Sequence, residues 1–149
     1  MLDFPWFGGI MGRRAVSGAG IAVCLLMSAC SDPAASFKAG LTPAELARFQ
    51  RGEQVAHICW TCHNLSGDSN SIGPYLKGVF GRPVGTAQGY TYSDVLRNAD
   101  YTWDRERLRW FLRAPNQVLP GNRMVWPGVT NEQDLNALLL YLEGMTGAE

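Results

Sequence analysis

The sequence predicts a small all-α domain with long loops, and three observations lead there. Apolar residues recur three and four apart after Thr42, Asp104 and Asn131, the spacing of one helix face. No stretch alternates apolar and polar residues over any length, so strands are not expected. Seventeen glycines and eight prolines in 149 residues assign much of the chain to loops and turns. That length is one domain's worth, and 46% apolar residues with a formal charge of zero is an ordinary globular composition. It excludes a disordered or fibrous chain and offers no bulk basic charge for nucleic acid.

The first 29 residues read as an export signal. Arg13 and Arg14 supply a positive start, and 15–29 is an uncharged, largely apolar run. A spanning helix needs about 20 such residues, and Gly18 and Gly20 weaken the run further as a membrane helix. Leu26-Met27-Ser28-Ala29-Cys30 is similar to a bacterial lipobox, in which the cysteine is acylated and becomes the mature N-terminus; Met27 stands where leucine is usual. Lipid attachment at Cys30 is the expectation, with simple cleavage or an uncleaved anchor as alternatives. Residues 1–10 are apolar and carry Asp3, so initiation at Met11 would give a more ordinary signal. Setting aside Arg13, Arg14 and Asp3 leaves 11 basic and 12 acidic side chains, a net charge near −1. Residues 30–41, small, polar and interrupted by Pro33, read as a tether, and 42–149 as the domain.

Thr42-Pro43-Ala44-Glu45 starts the first helix as a capping box with proline at its first position. Leu46, Phe49, Val55 and Ala56 form an apolar face running toward Cys59. Gly52 within it costs helix stability and is best explained by close packing against a second helix. From Asn64 to Tyr92 periodicity disappears while glycine recurs at 67, 73, 78, 81, 85 and 89. So long a structureless stretch is foreign to a compact domain unless it packs on something other than protein. A large flat cofactor supplies such a surface. Asp104 caps a second helix with Leu108, Phe111 and Leu112 on one face and Arg105, Arg109 and Arg113 on the other, ended by Pro115. The last helix starts near Asn131 and carries Leu135, Leu138, Leu139 and Leu142, with Gly144 as its expected cap.

The chemistry concentrates in Cys59-Trp60-Thr61-Cys62-His63, at the end of the first helix. Two thiols three apart followed by an imidazole is the attachment pattern of a c-type haem. Each thiol can form a thioether to a porphyrin vinyl group, and the histidine can reach the iron from the same side. CxxC also serves redox thiols and zinc. A thioredoxin-like site needs a βαβ surround, for which there is no strand pattern. Structural zinc takes four protein ligands, and the exported part offers only Cys30, Cys59, Cys62, His57 and His63, the first reserved for lipid and the rest crowded together. A haem that carries electrons needs a sixth ligand. Met1, Met11 and Met27 lie in the signal and Met145 in an end expected to fray, which leaves Met124 in a proline-flanked loop, 119–128. His57 is the rival, but it shares a helix with the attachment site. Met124 is the expected ligand opposite His63.

From about Leu46 to Leu142 the chain resembles class I cytochromes c of the mitochondrial and alphaproteobacterial type. Besides CxxCH the resemblance is carried by residues 73–82 (GPYLKGVFGR), 89–93 (GYTYS), Trp103 and 120–124 (PGNRM), without insertions between them. It implies a small cytochrome c fold of three main helices plus a short one, with loops that wrap the haem and a last helix that crosses the first near Gly52. It also implies that the Pro74 carbonyl accepts a hydrogen bond from His63, that Tyr92 and Trp103 bond the inner haem propionate, and that Arg82 helps neutralise it. Three residues depart from the family. Phe111 replaces a tyrosine that bonds the methionine sulfur, Leu96 an asparagine that holds a water, and Asn122 a threonine beside the ligand. Losing polar groups near a haem changes its potential.

The expectation is a single-haem electron carrier and not an enzyme. With His63 and Met124 both on the iron no position remains for a substrate, and no acid–base pair or nucleophile accompanies them. Neither nucleic acid nor a small-molecule substrate is expected. The implied partners are membrane redox complexes on the periplasmic side of a bacterial envelope: an oxidase, a bc1-type complex or a dehydrogenase. Lipid on Cys30 would anchor the carrier beside them. The alternatives are a haem subunit fixed to a periplasmic dehydrogenase and, less favoured, a five-coordinate ligand-binding or peroxidase-type haem protein. Where the family places lysines around the haem edge this chain has Ile58, Asn116, Gln117, Thr130 and Asn131, while Arg123 keeps its charge. Long-range steering toward an acidic partner should be weak.

Overall fold

The computed structural model describes residues 32–147, so the expected signal and Cys30 lie outside the described residues. Its first element departs from the expected tether. Ala35–Ala39 forms a five-residue helix (α1), with Ala34 buried before it. The Phe37 ring lies 6.0 Å from that of Phe49. Two apolar side chains in a short polar stretch are enough to dock it, because burying each removes apolar surface from water.

Helix α2 (Pro43–Ala56) starts as the capping box requires. The Glu45 amide donates to the Thr42 hydroxyl (3.3 Å) and the Thr42 amide to the Glu45 carboxylate (2.9 Å). A single 3-10 turn, Cys59–Thr61, follows. The long loop then runs to α3 (Asp94–Arg97), and α4 (Arg105–Arg113), α5 (Pro115–Val118) and α6 (Glu132–Thr146) complete the chain. Three long helices are as expected, with three short ones where one was foreseen. Among the described residues the one strand-like pairing is an isolated antiparallel bridge between Pro83 and Thr102. No described helix is long and apolar enough to cross a membrane.

The core is the crossing of α2 and α6. A Cβ on Gly52 would stand 2.0 Å from the Ala137 carbonyl oxygen, so only glycine lets the two backbones approach this closely. Phe49 packs on Tyr141 beside the crossing, with ring centroids 5.0 Å apart. Leu135, Leu138 and Leu139 are fully buried under it, and each contributes about 1.5–3 kcal/mol by leaving water. Asn131 caps α6 through the amides of Gln133 (2.9 Å) and Asp134 (3.0 Å). The helix does not stop at Gly144 as expected. It runs through that residue to Thr146 and ends at Gly147, whose φ of 68° is the left-handed cap. Met145 is accordingly a packed helical residue instead of part of a frayed end.

Leu108, Phe111 and Leu112 of α4 are buried. The arginines on its other face pair with α6 carboxylates, Arg109 and Arg113 with Glu132 and Arg105 with Glu143. The glycine-rich loop is tied down at its middle by backbone bonds. Gly78 donates to Thr146 (2.6 Å), Gly81 to Trp103 (2.8 Å) and Trp103 to Arg82 (2.9 Å).

Candidate haem site

The turn after α2 fixes the CxxCH segment through its backbone. The Cys62 and His63 amides both donate to the Cys59 carbonyl, at 3.2 and 2.9 Å. The two thiols are free and half-buried. Burial pushes the Cys59 thiol up to about 11, the opposite of the lowered value a redox CxxC needs. His63 Nδ1 lies 2.6 Å from the Pro74 carbonyl oxygen. Since a carbonyl only accepts, Nδ1 carries the proton and Nε2 keeps its lone pair. Burial holds the His63 pKa below its usual value, so the ring stays neutral and able to bind a metal. Gly73 lies against the ring, where a Cβ would come within 2.3 Å of His63 Cε1.

The distal segment approaches from the loop between α5 and α6. The Asn122 side chain organises it, donating to the carbonyls of Leu119 (2.8 Å) and Pro115 (3.0 Å) while its oxygen accepts from the Met124 amide (2.9 Å). Asn122 thus differs from the expected threonine by stapling the loop. Met124 is half-buried.

One cavity of about 280 Å³ gathers Cys59, Cys62, His63, Pro74, Arg82, Tyr92, Trp103 and Met124, which are the residues singled out in the sequence, Cys30 aside. A water molecule needs roughly 10–15 Å³ on the same measure, so this space is shaped for something much larger. Its walls are mainly apolar, and Leu96 and Phe111, two of the departures, line it without a polar atom. Trp103 is buried, 5.1 Å from Phe111. The Tyr92 hydroxyl accepts from the Ala87 amide (3.3 Å), and burial raises its pKa so that it stays protonated. The Arg82 guanidinium donates to the carbonyls of Tyr75 (2.9 Å) and Lys77 (3.3 Å), which parks a positive charge at the cavity wall.

Two polar groups escaped the sequence reading. Ser93 stands at the N-cap of α3, yet its hydroxyl makes no capping bond. It is buried without a partner and lines the cavity. Ser93 closes the 89–93 stretch that carries the resemblance, but the resemblance gives a role only to the aromatic side chains there. Asn70 bridges the two arms of the loop, donating to the Gln88 carbonyl (2.8 Å) and accepting from the Tyr75 amide (3.1 Å). The residues fit a covalent haem on three counts. Two thiols stand beside a neutral imidazole and a thioether; the walls are apolar; and an unpaired buried hydroxyl with a nearby guanidinium suits a carboxylate. Among the described residues no group of three or more His, Cys, Asp and Glu could hold a metal ion. His57 stacks on Trp60 at 5.5 Å and does not line the cavity, and Met145 lines a separate, more polar hollow beside Trp60.

The family model for cytochrome c matches residues 49–146. The chain belongs to the cytochrome c family. Its cofactor is one covalently bound haem c, as is typical of that family. Cytochrome c2 of Blastochloris viridis is 39% identical over 106 residues, 70% of this chain and 84% of that one. Cytochrome c-550 of Bradyrhizobium diazoefficiens is 35% identical over 92 residues, 61% of this chain and 68% of that one. Among solved structures, cytochrome cH from Methylobacterium extorquens aligns with a TM-score of 0.59 and 37% identity, over 63% of this chain and 95% of that one.

Proposed function

We propose that the protein is a single-haem electron carrier on the periplasmic side of a bacterial envelope. It would serve a membrane oxidase, bc1-type complex or dehydrogenase, and be anchored by lipid on Cys30. The observation that carries the reading is the gathering of two thiols, a neutral imidazole and a thioether in one apolar cavity. Cys59 and Cys62 would hold the haem covalently, and His63 and Met124 would bind its iron. Haem supplies the one-electron ferric–ferrous couple. The protein's part is to keep its surroundings unchanged between the two states. The Pro74 carbonyl fixes the His63 ring and makes it a better donor. Asn122 holds the Met124 backbone, and a soft thioether favours the ferrous state. Arg82, Tyr92, Ser93 and Trp103 line the cavity and would partner a buried propionate, which needs such groups. If His63 and Met124 both bind the iron, the chain leaves no position there for a substrate, and electron transfer is the chemistry the haem would supply.

The rim of the cavity supports a partner surface of low charge. Ile58, Ile72 and Val125 are exposed there, the last fully so, and the Arg123 guanidinium donates to the Thr91 carbonyl. One spectrum tests the reading. The oxidised protein should show the weak long-wavelength band of iron–methionine sulfur ligation, and Met124→Ala should abolish it with the fold intact. A wild-type spectrum without that band would end the carrier reading in favour of a five-coordinate site.

A further inference from the structure

The two segments expected to hold the iron are joined across the rim of the cavity by side-chain bonds. On the proximal side, Gly73 donates to the Cys62 carbonyl (2.8 Å) and His63 to that of Pro74 (2.6 Å). The carbonyl of the residue before them, Ile72, accepts from the Tyr90 hydroxyl (3.1 Å). One residue past Tyr90, the Thr91 carbonyl accepts from the Arg123 guanidinium, and Arg123 adjoins Met124. Ile72, Tyr90 and Arg123 line the cavity, while Ile72, Thr91 and Arg123 are exposed. The path therefore follows the rim and not the floor.

Two observations make it more than a pair of surface contacts. Among the described residues, the Arg123 bond is the one hydrogen bond by which residues 120–126 reach beyond 115–126. The bonds of Asn122 all stay inside that range. At the other end the Tyr90 ring is braced edge-on by Tyr92, with centroids 4.8 Å apart, and the Tyr92 hydroxyl is itself held by the Ala87 amide. Residues 90–91 are thus gripped from both sides, by one bond to each ligand segment.

We infer that residues 90–91 form a strap that couples the His63 and Met124 segments, with Tyr90 and Arg123 as positioning residues for the two iron ligands. The inference rests on the reading of His63 and Met124 as those ligands, and it fails separately from it. A one-electron carrier keeps the same ligands in both of its states, and segments that cannot drift apart independently serve that need. Arg123 is spent on the fold and not on a docking partner. Coupling of this kind is reciprocal, so loosening either end should be felt at the other.

Hydrogen–deuterium exchange of the holoprotein at neutral pH, resolved by residue, tests the strap. The reporters are the Gly73 amide, bonded to Cys62, and the Met124 amide, bonded to Asn122. Arg123→Gln opens the distal end and should speed exchange of Gly73 about fivefold, the equivalent of about 1 kcal/mol. Tyr90→Phe opens the proximal end and should speed exchange of Met124 by a similar factor. Added imidazole should also displace the iron–sulfur band more readily in Tyr90→Phe, although the Tyr90 hydroxyl bonds only to Ile72. The double variant should be no looser than either single one, because a strap cut once is already open. Arg123→Lys keeps a charged donor and should exchange as the wild type does. Variants that each loosen only their own side overturn the inference. So do single effects that add in the double variant, an unaltered imidazole titration, or a Lys variant as loose as the Gln one. The band of the wild type reports the ligands by itself. Its absence ends the carrier reading and the strap's role together, whereas its presence without the cross-effects overturns this inference alone.

Discussion

The two segments that face the haem cavity are held by different means. On the His63 side the restraints are backbone bonds made in sequence. Cys62 and His63 donate to Cys59, Gly73 to Cys62 at 2.8 Å, and Leu76 to Asn64 at 2.7 Å. The Met124 side has no helix of its own, and its ties are mainly side-chain ones, from Asn122 within the loop and from Arg123 to the Thr91 carbonyl. Backbone bonds survive most substitutions, whereas a side-chain staple is lost with its residue. The difference teaches that the proximal half is stiff by construction. The distal half depends on Asn122 and on whatever Met124 itself binds, so loss of axial ligation should begin there.

The comparison can be broken most severely from the proximal side. Gly52→Val drives a side chain into the Ala137 carbonyl and should cost about 3 kcal/mol, read as a lower denaturant midpoint and poor recovery of holoprotein. Unchanged stability would mean that the crossing is looser than described. Next comes the distal staple. Asn122→Ala leaves the Met124 amide without its acceptor and should cost about 1–3 kcal/mol. Added imidazole should then displace the sulfur band about tenfold more readily, the equivalent of about 1.4 kcal/mol. An unaltered imidazole titration would make the loop self-supporting. Asn70→Ala cuts the tie between the loop arms and should cost about 1 kcal/mol, with faster amide exchange confined to residues 64–92.

Two smaller effects sharpen the contrast. Burial of the Tyr141 hydroxyl pushes its pKa up to about 12, from an ordinary value of 10. Stability is therefore undiminished below pH 10 and falls as pH rises through 12, because the unfolded chain releases the proton first. Tyr141→Phe should flatten that alkaline decline while leaving Met124 ligation as it was; a decline of the same depth in the variant assigns it elsewhere. Smallest is the effect of salt. With Ile58, Ile72 and Val125 at the rim, turnover with a membrane oxidase or reductase should change little with ionic strength. A steep fall would reveal a charged docking surface.

Much of this was legible in advance because it is local. The capping box at Thr42, the caps at Asp104 and Asn131, and the stop before Pro115 follow rules that span a few residues. Gly52 was legible for a related reason, since glycine in an otherwise good helix needs a close neighbour. What escaped had ordinary local explanations that tertiary contacts overrode. Gly144 looked like a cap and instead makes room for Phe37 and Phe49. Ser93 stood only as the end of a matching stretch, and its unpaired hydroxyl lines the cavity. The stretch after Asp32 looked like a linker because one buried and one half-buried apolar side chain, Ala34 and Phe37, are too few to make a pattern.

By itself the sequence determined the three long helices, the CxxCH attachment segment and the shortage of alternatives to Met124, because spacing and side-chain chemistry suffice for these. Only the tertiary structure decided that the eight predicted residues share one cavity, that Asn122 staples the distal loop, and that the segment after Cys30 is docked. The physical reason is that caps and helix faces are made between neighbours in sequence. A cavity, a staple and a docked strand of chain depend on which distant residues the α2–α6 crossing brings together.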